Sequence, residues 1–172
     1  MSQEQRIWSF AITSEPTYGG NTGYDDLAWS VYRYDNKVQY HAQVSKGDLA
    51  VVVVDDGAEG IARIDRIVVR RGTKTLQRCP GCQTTDIARR RTISPTYRCN
   101  RCKNTFEYPK HDEIEVDVHE AHLVDWAPVH GISRGAIRDS AVNKGQTSIR
   151  PLVPSKVRAL LGRSPEALCL TD

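Results

Sequence analysis

The sequence predicts a mainly β protein of the α+β class, a small β-barrel with a few short helices and an inserted zinc ribbon. Two observations predict this fold. About six short segments have the β-branched and aromatic content of strands, and Gly-, Asn- and Asp-containing turns separate them; short meandering strands close into small barrels. Two Cys-x-x-Cys pairs interrupt this series. We therefore assign residues 1–73 and 109–172 to the barrel and residues 74–108 to the insertion.

The first half of the chain supplies three of the expected strands. Residues 8–12 (WSFAI) predict the first strand, and residues 27–36 (LAWSVYRYDN) have a strand-like composition. Residues 37–44 (KVQYHAQV) alternate polar and apolar positions, which predicts a half-buried strand. The apolar face of that strand would carry Val38, Tyr40, Ala42 and Val44.

Further strands are expected on either side of the cysteine motif. A turn at Lys46-Gly47-Asp48 precedes the apolar run of residues 49–54 (LAVVVV), which predicts a buried strand. Residues 55–60 (DDGAEG) predict a hairpin turn into the alternating segment 61–69, and residues 113–120 (EIEVDVHE) alternate in the same way.

A short helix is predicted near the end of the chain, in VPSKVRALLGR. Ser155 is the expected N-cap, and Gly162 is the expected terminator because glycine readily adopts the left-handed conformation. The apolar face would consist of Val157, Leu160 and Leu161.

Composition excludes several classes of protein. With 39% hydrophobic and 26% charged residues, the chain is expected to fold rather than to be disordered. The longest apolar run, residues 49–54, is far shorter than the roughly 20 residues that a membrane helix needs, and the N-terminal segment does not resemble a secretory signal. We therefore expect a cytoplasmic protein without a membrane partner, in which clustered cysteines bind metal before they form disulfides.

Positive charge is concentrated around the insertion. Residues 70–110 contain eleven Lys/Arg and two Asp/Glu, whereas the remaining residues contain thirteen Lys/Arg and nineteen Asp/Glu. A patch of this kind suits the phosphates of a nucleic acid, and an ordinary solvated surface is the alternative.

The cysteines form a C-x2-C-x16-C-x2-C motif, which is typical of zinc ribbons. Four thiolates complete a tetrahedron and leave no open position for water, so the predicted zinc is structural rather than catalytic. Disulfides are the alternative. The expected ligands are Cys79, Cys82, Cys99 and Cys102.

Two sets of residues are candidates for contact with a nucleic-acid backbone. The first set lies on the metal-ordered insertion, where arginine suits phosphate recognition; it consists of Arg89, Arg90, Arg91, Arg98, Arg101 and Lys103. The second lies in the polar segment NKGQTSIR, which is alternatively an ordinary surface strand; it consists of Gln146, Ser148 and Arg150.

A third set has the composition of a pocket for a planar heterocycle. Tyrosine faces combined with amide and carboxylate groups suit a base lifted out of its stack. The alternative is that the tyrosines belong to the barrel core and that the acids form turns. The candidates are Tyr18, Asn21, Tyr24, Asp25, Asp26, Tyr32, Tyr34, Asp35 and Trp126.

No catalytic set is apparent. The five histidines are scattered, and the sequence contains no nucleophile elbow, phosphate-binding glycine loop or recognisable nuclease motif. A binding module is therefore favoured over an enzyme.

Two short motifs resemble the PUA-like superfamily, especially its EVE and ASCH branches. A Lys-x-Gly-Asp-type turn precedes a buried strand, and a Gly-x-Ala/Gly-x-Ile pattern follows. The matching positions are Lys46, Gly47 and Asp48, then Gly60, Ala62 and Ile64, within a resemblance that covers about residues 7–70 and, more loosely, 112–150.

The resemblance implies a DNA-binding module that reads a modified base. By this likeness the pocket would accept a flipped, modified cytosine from double-stranded DNA, and the chain would be the recognition part of a modification-dependent restriction system with a nuclease domain or subunit. Three alternatives stay open: an RNA-binding PUA/ASCH-like domain, a nucleic-acid-modifying enzyme that uses Asp25 or Asp26, and a protein-interaction module whose ribbon binds another subunit.

Overall fold

The computed structural model describes residues 5–14 and 26–162, which form nine strands and two helices. The elements are β1 (Ile7–Ile12), β2 (Val31–Asp35), β3 (Leu49–Val54), β4 (Gly57–Arg78), β5 (Ile87–Arg89), β6 (Tyr97–Cys99), β7 (Thr105–Phe106), β8 (Lys110–Pro128), α1 (Arg134–Asp139), β9 (Ile149–Pro151) and α2 (Pro154–Leu161). Within these residues, no helix has the length and apolar character required to span a membrane. The mainly β class predicted from the sequence is confirmed.

The described residues divide into two compact units. Residues 5–14, 26–70 and 117–162 belong to the first unit, and residues 71–116 belong to the second. The long strands β4 and β8 run from one unit into the other.

The first unit is built on a six-stranded sheet with the order β2-β8-β4-β3-β1-β9. Strand β3 pairs with β1 in parallel and with β4 in antiparallel orientation. Its side chains alternate between two hydrophobic clusters, with Val51 and Val53 in one and Ala50 and Val52 in the other. Burial on both faces explains why the strand reads as an uninterrupted apolar run.

The sheet curls into a half-barrel, and its edge strands are β2 and β9. The Tyr32 hydroxyl on β2 donates towards the carbonyls of Ala11 on β1 and of Ser148 before β9, at 3.2 and 3.4 Å. A tyrosine side chain thus links segments from opposite edges of the sheet. Backbone pairing that would close a barrel is not observed between these edges in the described residues.

The Lys46-Gly47-Asp48 turn places a carboxylate inside the first unit. Gly47 adopts a positive φ of 89°, a conformation that glycine accepts without strain. The buried carboxylate of Asp48 accepts hydrogen bonds from the Trp8 indole N–H at 2.8 Å and from the backbone N–H groups of Ser45 and Arg6 at 3.0 and 3.2 Å. Asp48 is therefore an anchor between β1 and the start of β3.

Residues 37–44 form successive turns, so the strand predicted there is wrong. The Asp35 carboxylate accepts the N–H of Lys37 at 2.8 Å, which turns the chain immediately after β2. Tyr40 then has a φ of 71°, which is incompatible with an extended strand. The apolar alternation therefore does not define one face: Val44 is buried, but Ala42 is exposed.

Helix α2 begins differently from the prediction. Val153 is the N-cap and makes no side-chain capping bond, so the predicted cap at Ser155 is wrong. Pro154 occupies the first turn, where its fixed φ favours helix initiation and its missing N–H costs nothing. Gly162 ends the helix at a φ of 67°, as predicted. On the apolar face Val157 is buried, whereas Leu160 is 37% exposed.

The second unit contains a three-stranded sheet with the order β5-β6-β7. Its small core consists of Cys79, Ile87, Cys99 and Phe106, and the Tyr97 ring stacks on Phe106 at a centroid distance of 5.8 Å. A core of this size is too small to stabilise a unit without a further constraint.

Candidate metal centre and nucleic-acid interface

The two Cys-x-x-Cys segments adopt equivalent backbone turns. In each, the first cysteine carbonyl accepts the N–H of the residue after the second cysteine, and the first cysteine N–H donates to the carbonyl one residue further on. The residue after the second cysteine has a positive φ in both turns, 63° for Gln83 and 64° for Lys103. The repeated turn points both cysteines of each pair towards the same centre.

The four thiols are placed for one tetrahedral metal ion. Their Sγ atoms all lie within 4.8 Å of one another, and the Cys79–Cys102 and Cys82–Cys99 pairs are separated by 3.6 Å. A metal with bonds of about 2.3 Å to sulfur requires tetrahedral edges of about 3.8 Å, whereas a disulfide requires about 2.05 Å. The geometry supports a four-thiolate metal site and contradicts the disulfide alternative.

Hydrogen bonds within the second turn favour a thiolate at Cys99. Burial acts to raise the pKa of Cys99, but the N–H groups of Cys102 and Arg101 donate to its sulfur and lower the pKa to about 6. For Cys102, the N–H of Asn104 lowers the pKa, but burial and the neighbouring thiols raise it to about 12. Four thiolates in one small space repel one another, and a bound dication would relieve that repulsion.

Several arginines of the second unit lack compensating acids, whereas Arg78 pairs with Asp112 at 2.9 Å and Arg71 pairs with Glu115 at 3.4 Å. Asp86 accepts the Asn100 amide at 2.7 Å, and Glu107 accepts the backbone and hydroxyl of Thr96, which lowers the pKa of Glu107. Both acids are thus held by neutral donors. Four exposed arginines form no ion pair within the described residues: Arg89, Arg91, Arg98 and Arg101.

Two of these arginines, Arg89 and Arg98, lie in the strands of the small sheet, on different faces. Arg98 pairs across the strands with Ala88 and Thr105 and points away from the core, whereas Arg89 pairs with Tyr97 on the other face. Arg90 is half-buried and its guanidinium bonds to the Pro95 carbonyl. The Lys103 ammonium donates to the carbonyl of Asn100.

The predicted base-pocket residues that the structure describes make contacts within the fold. Tyr18, Asn21, Tyr24 and Asp25 lie outside the described residues. Tyr32 stacks on Phe10 at 4.3 Å and Tyr34 stacks on His119 at 5.0 Å, and burial raises the pKa of both phenols. The core alternative therefore describes Tyr32 and Tyr34 better than the pocket interpretation.

The other candidates in this set also have local structural roles. Asp26 accepts the Arg33 backbone N–H at 2.6 Å, and the fully buried Asp35 holds the turn after β2. The Trp126 ring lies against Gly60, where an added Cβ would be 2.2 Å from a ring carbon.

The polar segment before β9 is only partly extended. Strand β9 spans Ile149–Pro151, Gln146 is exposed, and the Ser148 carbonyl accepts the Tyr32 hydroxyl. Arg150 is buried, with its guanidinium on the Gly145 carbonyl. Gln146, Ser148 and Arg150 therefore do not form a continuous polar edge.

Two exposed aromatic residues escaped the sequence prediction, Trp29 in the first unit and Tyr108 in the second. Trp29 is 61% exposed in the turn between Leu27 and Val31. An exposed tryptophan offers a stacking face for a base. Its position in an apparent strand hid this feature, because an aromatic residue in a strand normally indicates core. An open cleft of about 420 Å³ lies between residues 56–59 and 129–133, and no predicted base-pocket residue lines it.

The fold and the site together define a mainly β protein that carries a candidate four-cysteine metal centre. Comparison of the chain with protein-family models, curated proteins and solved structures found no match. The functional argument therefore depends on the residues of this chain.

Proposed function

We propose that this chain is a zinc-stabilised module that binds double-stranded DNA. The observation that carries the proposal is the set of exposed arginines without acidic partners, on a unit whose core converges on four thiols. Arginine forms strong, directed hydrogen bonds with phosphate oxygens, and each arginine that neutralises a phosphate releases counterions on binding.

Zinc is the proposed metal because it favours tetrahedral thiolate coordination and has no redox chemistry of its own. Its role is to order the small second unit, whose four-residue core is otherwise insufficient. Metal analysis of the purified protein should find one zinc ion per chain.

We further propose that the first unit reads a modified base, most simply a modified cytosine, as the recognition part of a restriction system with a nuclease domain or subunit. The support is the PUA-like motif at Lys46-Gly47-Asp48 and the exposed Trp29, which follows the polar sequence TYGGNTGYDD of residues 17–26. Trp29 replaces the buried tyrosines as the proposed stacking face.

The grip on DNA is tested by replacing Arg89, Arg91 and Arg98 together with Gln and measuring duplex affinity over a range of salt concentrations. A control variant with Gln at Arg66, Arg70 and Arg158 has the same change in net charge in the first unit. Each lost phosphate contact should reduce the slope of log affinity against log salt by about 0.9. Because Arg89 and Arg98 lie on opposite faces of the small sheet, the triple variant of the second unit should lose one to two contacts, a reduction in slope of about 0.9–1.8.

Equal slopes of log affinity against log salt in the two triple variants would contradict the assignment of the phosphate contacts to the second unit. Tighter binding of structured RNA than of duplex DNA in the same assay would replace the DNA proposal with an RNA-binding one.

Base reading is tested with duplexes that differ in the modification of one cytosine. Trp29→Ala should weaken binding of the modified duplex by roughly 1–3 kcal/mol, the free energy of one lost stacking contact. The variant should therefore no longer prefer the modified duplex over the unmodified one. Tyr108→Ala removes another exposed aromatic, 84% exposed in the second unit, and should keep the preference. Loss of preference in both variants, or in neither, would contradict the role of Trp29.

A further inference from the structure

Arg150 is an unusual buried cation. Only 8% of its surface is exposed, and its Nε and Nη2 atoms donate to the Gly145 carbonyl at 3.2 and 3.0 Å. Among residues 5–14 and 26–162, no carboxylate lies within ion-pair distance of it, and Nη1 makes no hydrogen bond. Buried charges normally have a counterion, because desolvation of an unpaired charge is costly.

The nearest charged groups increase this imbalance. Arg138 donates to the Lys144 carbonyl at 3.3 Å, so Arg138 and Arg150 hold the carbonyls of consecutive residues. Arg134 donates to the Asp55 carbonyl at 2.9 Å. Burial lowers the pKa of Arg150, and the charges of Arg138 and Arg134 lower it further. The adjacent carbonyls of residues 144 and 145 therefore bring the guanidinium groups of Arg138 and Arg150 near one another, and the charge of Arg134 adds to theirs.

The acids near these arginines have other partners, although Asp55 partly offsets one of the arginines: hydrogen bonds from Ser14 lower the pKa of Asp55, and the charge of Arg134 lowers it further. The Asp55 carboxylate accepts the backbone N–H of Ser14 at 2.9 Å and also its hydroxyl. The Asp139 carboxylate pairs with Lys144 at 3.0 Å. Neither acid lies within ion-pair distance of Arg134, Arg138 or Arg150.

We propose that Arg150, Arg138 and Arg134 form an anion site in the first unit that takes a phosphodiester group of the bound nucleic acid. The phosphate oxygens would accept hydrogen bonds from Nη1 of Arg150, which has no other partner among the described residues, and from the guanidinium of the exposed Arg138. The planar N–H donors of arginine suit this arrangement. This site rests on the proposed function, and it gives the first unit a phosphate contact independent of the metal ribbon.

The site is tested with inorganic phosphate, which is the simplest probe of its chemistry. Wild type, Arg138→Gln and the control Arg158→Gln are titrated with phosphate against chloride at matched ionic strength, with melting temperature and the arginine Nε–H NMR signals as readouts. Phosphate also stabilises proteins in general, because it is excluded from their surface. The quantity to compare is therefore the effect of phosphate on each variant relative to its effect on the wild type. Arg138→Gln should weaken saturable phosphate binding on the order of tenfold, and Arg158→Gln should not.

The melting temperature without phosphate gives an independent readout. If the arginines repel one another in the free protein, Arg138→Gln should keep or raise the melting temperature in chloride. A purely structural role for Arg138 predicts a lower melting temperature and unchanged phosphate binding, and that result would overturn the site.

Binding to duplex DNA separates failure of this site from failure of the proposed function. Arg138→Gln should reduce the salt slope by about 0.9 while the ribbon contacts persist. If the variant with Gln at Arg89, Arg91 and Arg98 loses DNA affinity but Arg138→Gln does not, the anion site is refuted and the proposed function stands. If neither variant loses affinity, both proposals are refuted.

Discussion

Replacing Asp48 with Ala should strongly destabilise the first unit. The mutation removes three hydrogen bonds to a buried carboxylate, and each bond to a charged acceptor contributes roughly 1.5–3 kcal/mol. Water can reach the part-buried backbone N–H groups of Ser45 and Arg6, which offsets part of their loss, but the Trp8 side chain is fully buried and its indole N–H would be left unsatisfied. We expect a loss of about 3–5 kcal/mol, a large fraction of the 5–15 kcal/mol typical of a domain.

Urea unfolding followed by far-UV circular dichroism measures this loss, with zinc present throughout. Asp48→Asn is the graded control, because its amide oxygen can still accept the Trp8 N–H, and it should lose less than the Ala variant. Glu59→Ala removes an exposed acid of the same unit and should change little. A loss below about 1 kcal/mol for Asp48→Ala, too small for even one charge-assisted bond, would refute the anchor role.

Two further predictions concern the first unit. Gly60→Ala should destabilise it by about 1–3 kcal/mol through overpacking, because the new Cβ would lie 2.2–2.6 Å from three atoms of the Trp126 ring; Gly135→Ala, whose Cβ would meet its nearest atom at 3.7 Å, is the control, and equal melting temperatures would contradict the prediction. Burial and the charge of His41 lower the pKa of His119, so the unfolded chain takes up a proton more readily. Stability should therefore be full above about pH 6.5 and fall as the pH drops below it. His119→Gln should flatten this dependence, and an unchanged profile would exclude His119 as its source.

Local patterns in the sequence were sufficient for some features. The run LAVVVV predicted a buried strand because both faces of β3 are covered, and the cysteine spacing predicted the cluster because each turn is formed by adjacent residues. The predicted strand at residues 37–44 failed because turn formation after Asp35 and a left-handed Tyr40 override the apolar alternation.

Features that depend on distant residues were not predictable. The sequence suggested a turn-forming role for Asp48, but its hydrogen bond to Trp8 joins residues 40 positions apart. Arg138 of helix α1 and Arg150 of strand β9 come near one another because they donate to the carbonyls of the consecutive residues 144 and 145. No periodicity or motif marks such a cluster.

The dependence of DNA binding on the metal tests the proposed function most directly. Duplex affinity should be measured for the zinc-loaded protein, after chelation, and after one equivalent of zinc is restored, with Cys99→Ser as the variant that cannot be rescued. Chelation should weaken binding on the order of tenfold through loss of ordered phosphate contacts, and zinc should restore it in the wild type alone. Unchanged affinity after complete removal of the metal would contradict the proposal that a zinc-ordered unit holds the DNA.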